Sequence, residues 1–372
     1  MPVRNPVSHA AELHQQAIVI DCHSDILMPI ADGKMRLGQR VQVPDPTAWT
    51  PPPGMGLDFE GNRFGFSAHT SCFGPMGQVD IPRLREGGVT VQGMAIYIEN
   101  KYFDRELSRG MEMAWWLLKE TRDNPGFELV TKAEDIRRLK REGKVGAFMS
   151  MEGCDGLGPD IRMLDLYYKL GMRLASLTHN RRNRFADGRQ DDVKPGGLTA
   201  LGKQLVRRMN ELGIVIDLVH LNEAGFWETM EITTTPVVYS HTSATNYARL
   251  SPDGKEPRID SRSHPAFYPE RDGERLKAIA KNGGVLGVIS FRQEDVPTMV
   301  RYIEVLLGAI GPDHIGLGAD YYGMDEAPAG LEDISKLPVL TRALVERGHS
   351  DEVILKILGG NFLRVFEQVW KS

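Results

Sequence analysis

The sequence predicts a (β/α)₈ barrel, an α/β fold in which eight parallel strands close on themselves. Three observations predict it. Short apolar runs recur along the 372-residue chain, each followed by a segment of helical amphipathicity, and such alternation implies parallel strands joined by right-handed crossovers. The units number eight, which favours closure over an open doubly wound sheet. The turn after the first run, Asp21-Cys22-His23-Ser24-Asp25, is not the glycine-rich turn by which an open nucleotide-binding sheet usually declares itself.

The apolar runs span residues 17–21, 89–98, 145–151, 173–178, 214–218, 236–239, 285–289 and 315–317. They are continuous rather than alternating, as expected for strands covered on both faces. Between them, residues 105–122, 133–141, 160–169, 199–212, 223–231, 274–282 and 298–310 carry apolar positions on one helical face, and Asp104 is placed to cap the first of these. Two stretches fall outside the pattern. Residues 31–78 are rich in proline, glycine and aromatics, too long for an ordinary barrel loop, and read as a rim or lid after the first strand. Residues 251–271 form a second long loop, after the sixth strand. The last stretch, 352–370, reads as terminal helices packed on the outside. The whole chain, 1–372, reads as one barrel domain.

Composition narrows the function. Hydrophobic residues make up 41% and charged residues 26%, values that suit a globular protein with a sizeable core. The formal net charge of -5 argues against a nucleic-acid partner. The three cysteines, Cys22, Cys72 and Cys154, are odd in number and widely spaced, which predicts free buried thiols in a reducing compartment rather than a disulfide framework. The start of the chain lacks the apolar core of a signal peptide, and no apolar run is long enough to span a bilayer. The expectation is a cytoplasmic protein with a small-molecule substrate and no membrane partner; the sequence leaves a homodimer open.

In a barrel of this type, chemistry collects at the C-terminal ends of the strands. His23 and Asp25 follow the first run, two residues apart, so on extended chain both face the same way. Glu152 ends the third run and is followed by Gly153, which lets the backbone turn and a ligand approach closely. His179 follows the fourth run, His220 the fifth, His241 the sixth and Asp320 the eighth. The chain has ten histidines; the other six fall in helices, in loops or before a strand. Imidazoles and carboxylates gathered at equivalent barrel positions are a donor set for zinc. A glutamate has two oxygens and can bridge two ions. A binuclear site would give hydroxide near neutral pH from a bridging water and polarise a substrate carbonyl. Asp320 is then the natural acid/base, and His179 a donor to the developing oxyanion.

At this point the sequence resembles the renal (membrane) dipeptidase family of zinc peptidases, within the amidohydrolase-type barrels. The resemblance runs through 21–25, Gln78-Val-Asp-Ile-Pro-Arg-Leu-Arg-Glu-Gly-Gly88, Met151-Glu-Gly153, Leu177-Thr-His-Asn180, Ile216-Asp-Leu-Val-His220 and Tyr239-Ser-His-Thr-Ser243. It continues through Gly283-Gly-Val-Leu-Gly287, Gly316-Leu-Gly-Ala-Asp320, Gly330-Leu-Glu-Asp-Ile-Ser-Lys336 and Gly360-Asn-Phe-Leu-Arg-Val-Phe366. It implies two zinc ions per chain, one on His23 and Asp25, the other on His220 and His241, with Glu152 bridging, His179 binding substrate and intermediate, and Asp320 as acid/base.

Three positions depart from the family pattern. Tyr321-Tyr322-Gly323 stands where the family usually has a second aspartate soon after Asp320. The arginine that holds a substrate carboxylate after the sixth strand has four contenders, Arg249, Arg258, Arg262 and Arg271, of which Arg262, beside Ser263 and His264, is preferred. Ser290-Phe291-Arg292 stands where some members place a substrate-contacting tyrosine. The leading reading is hydrolysis of dipeptides, including those with a D-residue at the C-terminus. A second keeps the zinc site but acts on N-acyl amino acids, lactones or other amides. A third is a barrel that binds metal or ligand without turnover; it would be marked by a lost ligand or acid/base, and none is lost.

Overall fold

The computed structural model describes residues 5–41, 77–189, 196–242, 269–288, 290, 295–324 and 327–371, the side chains of 269–272 excepted. Among these, nine strands form one parallel sheet: β1 (Ile20–Asp21), β2 (Val91–Tyr97), β3 (Phe127–Leu129), β4 (Val145–Glu152), β5 (Met172–Ser176), β6 (Val215–Asp217), β7 (Val238–Thr242), β8 (Val285–Val288) and β9 (Ile315–Leu317). β1 lies between β2 and β9, and β2 pairs directly with β4, from Val91 opposite Gly146 to Tyr97 opposite Glu152. Eight strands therefore close into a barrel, and these are the eight expected from the apolar runs.

The ninth, β3, was not foreseen. It lies opposite Val145–Ala147 of β4, while β5 lies opposite Met149–Met151. Since β2 occupies one edge of β4 throughout, β3 and β5 share the other, β3 at its N-terminal end. Three residues, one buried and two half-buried, give too short a pattern to recognise. Two helix boundaries also differ. The helix Glu106–Asp123 has Arg105 rather than Asp104 at its N-cap, with no side-chain cap bond. The helix expected over 160–169 runs Met163–Leu170. Elsewhere the caps match the chemistry: Thr199 accepts from Gly202 N–H ahead of Ala200–Leu212, and Asp295 from Thr298 N–H ahead of Val296–Ile310.

Alternate strand residues serve two cores. Met94, Met149, Ala175, Ile216, Leu286 and Leu317 belong to the layer between barrel and helices. Ile20, Val91, Phe148, Leu174, Val215, Val238 and Val285 fill the interior together with Phe362, Phe366 and Trp370. The terminal helix Asn361–Val369 is thus not merely laid on the outside, as expected, but plugs the barrel. Phe362, Phe366 and Trp370 recur at i, i+4 and i+8, one stripe of a helix, and the Phe366 and Trp370 rings stack at 4.2 Å. A side chain at Gly316 would collide with the Phe362 ring at 2.3 Å. With this end plugged, the opposite end is left for chemistry.

Cys22 and Cys154 are buried and free, as expected, while Cys72 lies outside the described residues. So do most of 31–78, beyond the short helix Leu27–Ala31 and the turn to Val41, and 251–268. No helix among the described residues is long and apolar enough to cross a membrane.

Candidate metal centre

The residues singled out at the strand ends converge. His23 Nε2 lies 3.8 Å from Asp25 Oδ2, 3.7 Å from Glu152 Oε2 and 3.6 Å from Asp320 Oδ1. Glu152 turns its other oxygen the opposite way: Oε1 is 2.8 Å from His220 Nε2, 3.5 Å from His241 Nε2 and 4.0 Å from His179 Nε2. Three groups of side chains could each hold a cation: His23, Asp25 and Glu152; Glu152, His220 and His241; and His23, His241 and Asp320. All seven predicted residues described here are therefore within one cluster. Arg249, Arg258, Arg262 and Arg292, and the side chain of Arg271, lie outside the described residues.

Local backbone geometry aims these side chains. His220 and Asp320 adopt left-handed conformations, φ 64° and 65°, which bulky residues rarely occupy and which collect at functional sites. The register of β7 against β8 shifts between Tyr239 and Thr242, a bulge at His241 of the kind that redirects a side chain. Gly153, at φ +75°, makes the turn after Glu152, and its N–H donates to Ser176 Oγ at 2.8 Å.

Partners that sequence reasoning missed hold the imidazoles. His220 Nδ1–H donates to Asn180 Oδ1 at 2.9 Å, which leaves the Nε2 lone pair facing the centre. That lone pair meets Glu152 Oε1 at 2.8 Å, acceptor against acceptor, an arrangement that a shared cation satisfies. His241 Nδ1 lies 3.0 Å from Ser240 Oγ, and the Tyr97 ring stands edge-on to His179 at 4.7 Å. His23 Nε2 and Asp25 Oδ1 are buried and lack a hydrogen-bond partner among the described residues. Such orphaned donors, with nitrogen and oxygen atoms in this number, fit zinc.

The electrostatics say the same. Burial first, and then Asp25 and Asp320, push Glu152 well above the carboxylate range, with His23 opposing. Asp320 is pushed up to about 8 by burial, against the pull of His23 and with Asp25 and Asp21 adding to it. Burial lowers His23, but Glu152, Asp25 and Asp320 outweigh it and raise His23 to about 10. His220 and His241 are driven down by burial and neighbouring positive charge and stay neutral. Carboxylates crowded out of water destabilise one another until a cation joins them. Two signals for the supporting residues were present in the sequence: a charged residue, Asp217, inside the apolar run of β6, and Asn180 directly after His179.

The chain matches the sequence profile described as membrane dipeptidase (peptidase family M19) over residues 7–252 and 255–372. It belongs to the membrane dipeptidase family. Among its relatives is the dipeptidase tcpJ of Claviceps purpurea (strain 20.1), 30% identical over 315 residues, spanning 79% of this chain and 69% of the relative. Membership places the chain among hydrolytic enzymes of the metallo-dipeptidase kind. The barrel superimposes on a crystal structure described as dipeptidase AC, a metallopeptidase of the same family, with TM-score 0.73 at 23% identity, covering 96% of this chain and all of that one. It also superimposes on a Rhodobacter sphaeroides metallopeptidase liganded with a phosphinate mimic of L-Ala-D-Ala, with TM-score 0.70 at 23% identity, covering 95% of this chain and all of that one. At that identity the two superpositions establish the barrel fold alone.

Proposed function

We propose that this membrane dipeptidase family member hydrolyses dipeptides, including those with a C-terminal D-residue, with two zinc ions per chain. One observation carries the reading: the two oxygens of Glu152 face two different sets of donors, His23 on one side and His220 with His241 on the other. His23 and Asp25 would hold one ion, His220 and His241 the other, and Glu152 would bridge them. The ions would supply Lewis acidity, acidifying water and polarising the scissile carbonyl.

The chain's own residues do the rest. Asp320, buried with its Oδ1 3.6 Å from His23 Nε2, stands at the centre where the acid/base for peptide cleavage must act. His179, kept neutral chiefly by burial, can offer an Nε2–H to a developing oxyanion. The phosphinate dipeptide mimic bound by the Rhodobacter sphaeroides relative supports a substrate of this class.

The test is a panel of L,L and L,D dipeptides, N-acyl amino acids and lactones, assayed with zinc-loaded protein. Dipeptides should be turned over fastest, and the L,D members should be accepted. Faster turnover of N-acyl amino acids or lactones would replace the dipeptidase reading.

A further inference from the structure

A cavity of about 50 Å³ opens beside His179, lined by Ile98 and Phe103 from the segment after β2 and by Asn180, Arg181 and Arg182 from the segment after β5. The two adjacent arginines differ. Arg182 is committed internally, donating to both carboxylate oxygens of Asp187, one at 2.6 Å. Arg181 is exposed and donates to no described residue. Asp155 also lines the cavity, but its Oδ2 accepts from Asn183 at 3.2 Å and burial lifts its pKa, which weakens its opposition to an anion.

We propose that Arg181 is a specificity-determining residue that receives the side-chain carboxylate of an acidic residue in the substrate, with Ile98 and Phe103 walling the methylenes of that side chain. The proposal rests on the reading that a dipeptide lies against His179. The arrangement favours a side-chain carboxylate over the main-chain one. A main-chain carboxylate is attached directly to an α-carbon beside the scissile bond. Here the cation is at an exposed rim while apolar side chains share the cavity, which matches a charge at the end of an aliphatic stem. Arginine also suits the task, since its planar fork meets a carboxylate with two parallel hydrogen bonds.

The wall is held in place from behind. Arg109 is buried and donates to Glu99 Oε1 at 3.1 Å and Oε2 at 3.3 Å, and to Asp32 at 2.7 Å. This fixes both ends of the segment that carries Phe103.

The experiment compares wild type, Arg181→Met and Arg181→Lys with Ala-Glu against Ala-Gln and Glu-Ala against Gln-Ala, in L,L and L,D forms. Each peptide is also assayed as its C-terminal amide. The wild type should favour glutamate over isosteric glutamine at one of the two positions by about tenfold in kcat/KM, expressed in KM, the size of one good charge-assisted contact. Arg181→Met should bring that ratio close to one, and Arg181→Lys should keep part of it. An unchanged ratio in Arg181→Met overturns the proposal. So does a variant that equalises free acid and amide while leaving the glutamate preference, since the arginine would then read the main chain. Calorimetric binding of free glutamate against glutamine needs no turnover. If no dipeptide is cleaved, the dipeptidase reading fails by itself. Tighter binding of glutamate that is lost in Arg181→Met would still support the subsite, and equal binding of the two in wild type would overturn it.

Discussion

Asp21 Oδ1 accepts the backbone N–H of Ala319 at 2.7 Å, which ties the strand leading to His23 to the strand ending at Asp320. Asp217 does the same on the other side of the barrel. Its Oδ1 accepts from Ser240 N–H at 3.0 Å and from Val219 N–H at 3.1 Å, the residues directly before His241 and His220. Both aspartates are buried, and burial raises both, Asp21 to about 6. Neither belongs to the three metal-capable groups, yet each fixes the spacing between residues that do.

Removing the Asp217 carboxylate should therefore loosen the pair of histidines. Asp217→Ala leaves two buried N–H groups without their acceptor, and metal affinity should fall by about 10- to 100-fold, the range for residues that orient ligands. Asp217→Asn keeps an acceptor oxygen and should recover most of it. Chelator competition measures both. Equal affinity in wild type and Asp217→Ala would show that the carboxylate only fills space.

The binuclear reading predicts metal content directly. Purified protein should carry about two zinc ions per chain and lose turnover on chelation. His220→Ala should lose about one equivalent. Elemental analysis that finds active protein without metal would defeat the reading.

Asp320→Asn separates proton transfer from shape. Asparagine tolerates the left-handed backbone that position 320 adopts at φ 65°, so the fold should be kept, and with five other donors in place the metal count should stay near two. Loss of the acid/base should lower kcat by at least ~10²-fold. A rate near wild type would make Asp320 structural.

Gly323, where the family usually shows an aspartate nearby, has a steric role. A Cβ there would stand 2.2 Å from Asp320 Oδ1 and 2.4 Å from Asp25 Oδ2. Gly323→Ala should displace both carboxylates and reduce kcat/KM by about 10²-fold, with a small change in melting temperature. The neighbouring tyrosines are spent on scaffolding: Tyr321 Oη–H donates to Leu331 O at 2.9 Å, and Tyr322 Oη accepts from Gly77 N–H at 3.1 Å. A large loss of stability with activity intact would contradict this assignment.

His14 supplies a pH dependence away from the centre. Its Nε2–H donates to Gly87 O at 2.8 Å and its Nδ1 lies 2.7 Å from Thr341 Oγ1. Burial lowers its pKa in the folded state, so it stays neutral there while the unfolded chain takes up a proton below about pH 6.5. The folded state then binds fewer protons than the unfolded one, and stability falls as pH drops through that value. His14→Gln should be less stable than wild type at pH 7.5, and the gap in melting temperature should narrow at pH 5.5. A gap that widens on acidification would show that the folded protein binds His14 in its charged form.

Much of this was legible without coordinates. The eight barrel strands were visible because strands covered on both faces must be apolar throughout. His23, Asp25, Glu152, His179, His220, His241 and Asp320 stood out because each follows such a run, where a barrel exposes polar groups. β3 was invisible because three residues, one buried and two half-buried, leave no period, and the helix carrying Phe362, Phe366 and Trp370 read as one packed on the outside because nothing local to it names the barrel end that it fills.

The sequence by itself determined which residues arrive at the barrel mouth, since periodicity and strand ends are local properties of the chain. Only the tertiary structure decided how they meet. That Glu152 divides its oxygens between two sets of donors, that Asn180 fixes the tautomer of His220, and that Asp21 and Asp217 lock neighbouring strands all depend on the register in which distant strands pair. A hydrogen bond between residues 298 positions apart in the chain, as between Asp21 and Ala319, leaves no trace in local pattern, because the barrel must close before the two can touch.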